Sequence, residues 1–167
     1  LGTIRTTDVA GECEDSENFR YCWNAQNQIT RICRRVNPGT SWTYSTGPWR
    51  AANNDISNSL YFVLGLEQIV TAFNFISVRG PNDSPGTGNI SIGMNSVSPI
   101  ANGFTANLGG GDRDIVGQNA TIAVSVPIGY TYLAPIELGG IVVMEFFGSN
   151  STTVPNDVVG IQARIAG

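Results

Sequence analysis

The residue types that most enzymes use for acid-base and nucleophilic chemistry are largely missing from this chain. It contains no histidine, and all nine of its basic residues are arginine, so lysine is absent too. The chain therefore has no imidazole base, no Schiff-base lysine and no phosphate-loop lysine. No serine lies in a Gly-x-Ser-x-Gly turn, and a Ser-His-Asp triad is excluded. We expect no catalytic residue, no cofactor and a protein that is not an enzyme.

Carboxylates are the remaining groups that could act as acids or bind metals. Asp112 and Asp114 flank Arg113 after three glycines, which fits a calcium loop or, as we favour, a hairpin tip with a local ion pair. Glu137 and Glu145 lie in apolar surroundings, where a carboxyl group can serve as a general acid. Glycoside hydrolysis needs two carboxyl groups about 5 to 10 Å apart, and nothing in the sequence brings these two together. No metal site is predicted.

The charge balance argues against two classes of partner. With 9 basic and 13 acidic residues the net charge is -4, which provides no long-range attraction to phosphate, so nucleic acid is not expected. Charged residues form 13 % of the chain, against about 25 % in a typical soluble domain, so the surface must be mostly neutral. No stretch reaches the ~20 apolar residues that span a bilayer, and no membrane span is predicted.

Three cysteines, Cys13, Cys22 and Cys33, lie in the polar first quarter of the chain. Their spacing fits no zinc pattern, and no histidine is present to complete a metal site. We expect one disulfide among the three, with every pairing open and the remaining thiol either buried or bridging two subunits. A disulfide, and a chain that starts at Leu1 as a processed product would, predict a secreted, extracellular protein.

Four Asn-x-Ser/Thr sequences are candidate glycosylation sites, at Asn82, Asn89, Asn119 and Asn150. Pro85 makes Asn82 a poor acceptor. Covalent glycans would fit an extracellular location, although a chain this rich in Asn, Ser and Thr contains a few such sequences by chance.

The elements that must position these residues differ along the chain. Residues 1–58 hold every cysteine and tryptophan and show no long alternating run, so we expect an irregular segment, with 16–35 as the best place for one short helix. From residue 59 onward, β-branched and aromatic runs alternate with Gly- and Pro-rich turns. Strands are predicted at 59–64, 70–78, 89–94, 118–128, 141–147 and 158–165. A helix over 60–75 is the alternative for the first two.

About seven short strands separated by frequent turns predict a single all-β domain. The fold class expected is an antiparallel β-sandwich or a jelly-roll-like fold. An irregular, disulfide-containing segment at 1–58 precedes a sandwich body at 59–167.

The C-terminal run places Val159, Ile161, Ala163 and Ile165 on one face of a strand. No lysine is available to protect sheet edges, so a strand of one copy can complete the sheet of another through main-chain hydrogen bonds. We take these four residues as donor-strand candidates and residues 1–9 as an alternative donor. Pairing of the C-terminal strand within its own sheet is the simpler alternative.

A polar leading segment followed by a low-charge β-sandwich with possible glycan sites resembles the secreted subunits of bacterial and archaeal surface filaments. The resemblance implies polymerisation by donor-strand complementation, with other copies of the chain as partners, in a pilus or thread at the cell surface. The predicted function is that of a self-assembling structural protein.

Two other functions stay open. A viral capsid or spike protein with a jelly-roll fold would share the β pattern and the self-assembly, and would place the chain at the virion surface. The acidic stretch from Glu12 to Glu17 is unlike the basic arm of RNA-packaging shells. A carbohydrate-binding module would use Trp42, Tyr44 and Trp49 as a stacking platform, although a cap over the end of the core is the commoner use of such residues.

Overall fold

A computed structural model describes residues 2–26, 29–45, 47–80, 86–100, 106–110, 115–140, 142–151 and 159–166. The described residues form fourteen β-strands and two single turns of 3-10 helix, at Ala52–Asn54 and Ile56–Asn58, so the all-β prediction is confirmed. The helix considered over 60–75 is wrong, because that region is divided between two strands. The described part of 16–35 also contains strands and no helix. No described residue belongs to a helix with the length and apolarity needed to cross a membrane.

The strands are numbered in chain order. They are β1 (Gly2–Ile4), β2 (Phe19–Arg20), β3 (Cys22–Asn24), β4 (Thr30–Val36), β5 (Ser41–Tyr44), β6 (Arg50–Ala51), β7 (Leu60–Leu64), β8 (Gln68–Arg79), β9 (Gly86–Met94), β10 (Ala106–Gly110), β11 (Ile115–Val126), β12 (Gly129–Leu138), β13 (Met144–Phe147) and β14 (Gly160–Ala166). The two single-turn helices lie between β6 and β7.

The first sheet has the strand order β10-β9-β12-β7-β2, and β6 also pairs with β12. Its pairs are antiparallel except that of β2 with β7. β12 lies at the centre, where Leu133 is opposite Leu60 on one side and Met94 on the other. Residues 133–137 of β12 are all buried, which suits the apolar run in that stretch of sequence.

The second sheet is built around β8 and is antiparallel throughout. β11 pairs with β8 over its full length, from Ile115 opposite Arg79 to Val126 opposite Gln68. The other side of β8 pairs with β14 and then with β13. β14 pairs in turn with β4, and β13 with β5. β13 and β14 therefore continue one line of the sheet, and β4 and β5 continue the next.

The core lies between the inner faces of the two sheets. Along β8 the residues Val70, Ala72, Ile76 and Val78 are buried at every second or fourth position, as expected for a strand with one inward face. One part of the core surrounds Phe62 and another surrounds Phe146. Burial of each such large side chain contributes about 1.5–3 kcal/mol. The inward-facing amide of Asn74 is satisfied on one side only: its Nδ2 donates to the Ser91 carbonyl at 2.9 Å, whereas its Oδ1 has no hydrogen-bond partner among the described residues.

Part of the segment expected to be irregular belongs to the two large sheets. β4 and β5 form one edge of the second sheet, and β6 pairs with β12 in the first. Before them, β1 pairs with β3, and Trp23 on β3 inserts into the core with 6 % of its surface exposed. β4 was not predicted from the sequence, because Arg31 and Arg35 lie on the same face of the strand as Cys33 and polar residues therefore do not alternate with apolar ones.

The predicted disulfide is absent from the structure, where Cys13, Cys22 and Cys33 are all free thiols. The sulfur atoms of Cys13 and Cys22 lie 2.9 Å apart, whereas a covalent S–S bond measures about 2.05 Å. Burial raises the pKa of Cys22 to about 11 and that of Cys33 to about 11. Because the thiolate is the reactive form, both thiols are poor nucleophiles at neutral pH.

Candidate functional site

The donor-strand candidates lie inside the core of their own chain. Val159, Ile161, Ala163 and Ile165 are at most 3 % exposed and contribute to the core. β14 pairs with β4 on one side and with β8 on the other, so the backbone groups of both its edges are used within the chain. This is the simpler of the two arrangements that the sequence allowed.

The candidate glycosylation sites have different surroundings. Asn119 is exposed on β11, and Asn150 is exposed after β13, where its Nδ2 donates to the Pro38 carbonyl at 2.6 Å. Asn89 is half-buried on β9, between two paired strands. Asn82 lies outside the described residues. Asn119 therefore has the most accessible side-chain amide of the described three.

Trp42 and Tyr44 pack against the core and do not form an open platform. The ring of Trp42 is stacked on Phe146, with centroids 6.0 Å apart and an interplanar angle of 8°. The guanidinium of Arg50 lies 3.7 Å from the ring centroid of Tyr44, whose hydroxyl donates to the Pro48 carbonyl. The rings of Trp42 and Tyr44 thus act as a cap over this end of the core.

Glu137, on β12, is a carboxylate with 0 % of its surface exposed. Its Oε2 accepts a hydrogen bond from Trp42 Nε1 at 2.7 Å, and its Oε1 accepts from Arg50 Nε at 2.8 Å. Burial raises the pKa of this carboxyl, opposed in part by the hydrogen bond from Trp42 and the charge of Arg50. The carboxylate joins β5, β6 and β12, and a group without exposed surface cannot meet a substrate.

Glu145, the other carboxylate considered from sequence that the structure describes, has a different partner from Glu137. Glu145 lies in the second sheet, on β13, and accepts a hydrogen bond from Arg79 Nε at 2.9 Å. Asp112, Arg113 and Asp114 lie outside the described residues. Among the residues that are described, no three side chains of metal-binding type form a group.

The second sheet ends in an edge strand without charge. β11 has 12 residues, IVGQNATIAVSV, and none of them is ionisable. In the described part of the chain, no strand pairs with its outer edge. Soluble proteins usually protect such an edge with charges, prolines or bulges, because its free N–H and C=O groups pair with other chains. We call this feature the neutral edge.

The opposite edge of the same sheet has a different chemistry. It is formed by β4 and β5, and β4 carries Arg31, Arg34 and Arg35. No described strand pairs with the outer side of β4 or β5, although the backbone N–H of Arg34 on β4 already donates to the Glu17 carbonyl at 2.9 Å. We call this feature the basic edge. The second sheet thus presents two chemically different edges on opposite sides of the molecule.

Aromatic side chains gather on the outer face of the first sheet, and we call them the tyrosine surface: Phe19, Tyr21, Tyr61, Tyr130 and Tyr132. The ring of Tyr61 is central, with centroids 5.8 Å from Phe19, 6.2 Å from Tyr130 and 5.7 Å from Tyr132. Strand pairing accounts for this proximity, because Phe19 lies opposite Tyr61 on β7, and Tyr61 opposite Tyr132 on β12. Tyr130 is 43 % exposed.

The tyrosine surface contains an open pocket of about 270 Å³. Its lining residues are Phe19, Tyr21, Arg35, Ser57, Tyr61 and Tyr130. Burial raises the pKa of Tyr21 to about 12 and also raises the pKa of Tyr61, so both phenols stay protonated at neutral pH. The Tyr61 hydroxyl donates to the Ile56 carbonyl at 2.9 Å. The pocket therefore combines apolar rings with neutral hydroxyl groups.

Two guanidinium groups border these rings. Arg5 lies 3.7 Å from the ring centroid of Tyr130, and Arg35 lies 5.9 Å from that of Phe19. Neither arginine forms an ion pair with a described carboxylate. Arg35 Nε is buried and has no hydrogen-bond partner among the described residues. No direct ion pair with a described carboxylate thus holds either guanidinium, and the acidic residues Asp8 and Glu14 line the neighbouring pocket together with Arg5.

The tyrosine surface was not predicted from the sequence. Tyr130 and Tyr132 are two residues apart on a strand, so the sequence was sufficient to predict that they share one face of the sheet. The contact between Phe19 and Tyr61 could not be predicted from the sequence, because it depends on the parallel pairing of β2 with β7, which are about forty residues apart.

Comparison of the sequence with protein-family models and with curated proteins found no match.

Proposed function

We propose that this chain is a structural subunit that assembles with copies of itself by strand addition between sheet edges. The neutral edge carries the proposal, because it has 12 uncharged residues and no described strand pairs with its outer side. Main-chain hydrogen bonds along such an edge would supply the affinity. The low charge and the candidate glycosylation sites fit an extracellular filament, with glycans as possible covalent additions.

The directions of the strands allow the sheet to continue from one copy to the next. β11 is antiparallel to β8, β8 is antiparallel to β14, and β14 is antiparallel to β4. β11 and β4 therefore run in opposite directions at the two ends of the sheet. A second copy in the same orientation can pair its neutral edge with the basic edge of the first in the antiparallel manner. Such a head-to-tail contact repeats without closing and produces a filament.

This mechanism uses strands that remain within their own chain. Donation of β14 to a neighbour would remove Ile161, Ala163 and Ile165 from the core and separate β4 from β8. Loss of each large apolar side chain from a core costs about 1.5–3 kcal/mol. In a strand-exchanged polymer the same strand of another copy would refill the core, so this cost applies only while β14 is released. Edge-to-edge pairing needs no release of β14, and we favour it over insertion of the C-terminal strand for that reason.

A closed shell or a spike is the second candidate function, and the strand order favours it. Eight strands remain when the short strands β1, β2, β3 and β6 are set aside and β4–β5 and β13–β14 are each counted as one interrupted strand: β4–β5, β7, β8, β9, β10, β11, β12 and β13–β14. Numbered in chain order, they lie in the order 1-8-3-6 in one sheet and 2-7-4-5 in the other. We propose that this is a jelly roll, the double-sheet fold that viral capsid and lectin domains share.

Electron microscopy of the negatively stained protein distinguishes the two candidates. Filaments with one subunit per axial repeat are expected from head-to-tail pairing, and closed particles from shell assembly. Sedimentation that gives only a 17.8 kDa monomer at every concentration would contradict both.

Substitutions at Ala123 test the contact itself. Ala123 is exposed on β11, so a lysine there would meet the arginines of the basic edge, whereas a glutamate would attract them. Ala123→Lys should raise the critical concentration for assembly at least tenfold, and Ala123→Glu should leave it equal or lower. Ala25→Lys, at an exposed turn after β3, is the matched control and should have little effect. If Ala25→Lys raised the critical concentration as much as Ala123→Lys does, the result would argue against assembly through the neutral edge.

A further inference from the structure

We propose that the tyrosine surface binds an acidic saccharide, that is, a sugar carrying a carboxylate. This inference does not rest on the proposed assembly, because its residues lie on one chain. The pocket is lined by four aromatic rings, one hydroxyl side chain and Arg35. Binding sites of this kind combine an apolar wall with a few polar groups that fix the orientation of the ligand.

The aromatic part of the pocket suits the apolar C–H faces of a sugar ring. Phe19 and Tyr61 are nearly parallel, with an interplanar angle of 22°, and Tyr61 and Tyr130 meet at 14°. Tyrosine provides a broad apolar surface together with a hydroxyl group that hydrogen-bonds to polar ligands. Tyr61 already uses its hydroxyl hydrogen on Ile56, so its oxygen is available as an acceptor.

The charge in the pocket selects among ligands. Arg35 lines the pocket, and its guanidinium forms no ion pair with a described carboxylate. A guanidinium group binds a carboxylate through two parallel hydrogen bonds, which favours an anion. A quaternary ammonium ligand would suit an aromatic cage, but Arg5 and Arg35 would repel it. An anion with hydroxyl groups and an apolar face fits both parts of the pocket.

A single-stranded nucleic acid also combines rings with negative charge, and the whole molecule argues against it. Proteins that stack bases on aromatic residues place them in a groove of positive charge. This chain has a net charge of -4, and Glu14 lines a neighbouring pocket that shares Phe19 and Tyr21. A ligand with one carboxylate meets less repulsion from this surface than a chain of phosphates.

The test compares sialyllactose with lactose by saturation-transfer NMR and by titration followed through amide chemical shifts. The two probes differ only in the sugar that carries the carboxylate. We expect sialyllactose to bind at least tenfold more tightly than lactose, with shifts at Tyr61 and Tyr130. Equal binding of the two probes, or no binding of either, would overturn the proposal. Tighter binding of oligothymidylate than of sialyllactose would assign the site to nucleic acid instead.

Variants locate the interaction on the proposed groups. Arg35→Gln should weaken sialyllactose binding at least tenfold and remove its advantage over lactose. Tyr130→Ala should weaken both sugars, while Tyr130→Phe should retain most of the affinity. Arg164→Gln, at an exposed position on β14, is the charge-matched control and should bind as the parent does. An equal loss in Arg164→Gln would indicate a general charge effect and contradict the proposal. If Tyr130→Ala does not fold, the comparison of Arg35→Gln with the parent still tests whether the pocket binds the carboxylate of sialyllactose.

Discussion

Glu137 shows how one buried carboxyl group can position three strands. Its oxygens accept from Trp42 on β5 and from Arg50 on β6, while its own backbone lies in β12. The pKa of the carboxyl is raised, chiefly because burial disfavours the charged form. A raised pKa in the folded state means that ionisation of Glu137 costs stability, in spite of its partners.

The loss of stability on ionisation of Glu137 can be tested by measuring stability against pH. Because the folded pKa lies above the ordinary value of 4.5, the cost is present at pH 7 and is lost as the pH falls through the folded pKa towards 4.5. Glu137→Gln resembles the protonated acid, so its free energy of unfolding should equal or exceed that of the parent at pH 7. Below pH 4.5 the free energies of unfolding of the variant and the parent, measured by urea titration, should become equal.

Glu137→Ala is the contrasting variant. It leaves Trp42 Nε1 and Arg50 without their acceptor, and removal of one partner of a buried pair costs about 3–5 kcal/mol. A Glu137→Gln protein that is clearly less stable than the parent at pH 7 would mean that the ion pair with Arg50 outweighs burial. The sequence suggested that Glu137 lies in apolar surroundings, but not that Arg50 and Trp42 would meet it, because those contacts join residues 87 and 95 positions apart.

The positions of most strands in the sequence were predictable, whereas the pairing of strands within the sheets was not. The runs expected at 59–64 and 70–78 correspond to β7 (Leu60–Leu64) and β8 (Gln68–Arg79), because alternation reports which residues face a core. β4 was missed because arginines share a face with Cys33. The placement of β14 between β4 and β8 depends on contacts with residues far apart in sequence, which alternation cannot specify.

The interior position of β14 predicts the effect of removing it. Deletion of residues 158–167 should expose the inner edges of β4 and β8 and leave an unfolded or aggregated product, as judged by circular dichroism. Within the strand, Ile161→Ala should lower the free energy of unfolding by about 2–5 kcal/mol because Ile161 is fully buried. Arg164→Ala, exposed on the same strand, should change it by less than about 0.5 kcal/mol. A deleted protein that stays soluble and β-rich would restore β14 as the donor strand.

At the scale of the whole molecule, charge is scarce and unevenly placed. The net charge is -4, yet one edge of the second sheet carries three arginines and the other carries none. Composition alone indicated a neutral surface, but the separation of a neutral edge from a basic edge follows only from the order of strands. Copies that approach one another therefore meet weak overall repulsion, while the contact itself is formed by backbone groups.

This balance fixes the sign of the salt and pH dependence of assembly. Added salt screens the repulsion between copies of charge -4, and acidification towards the sequence pI of about 4.6 removes it. The critical concentration should therefore fall several-fold between 0.05 and 0.5 M NaCl, and again between pH 7 and pH 5, as measured by sedimentation. A shell held together by packaged nucleic acid would respond in the opposite way, because salt weakens contacts with phosphate. Disassembly by salt in a nuclease-sensitive manner would therefore favour the shell over the strand-paired filament.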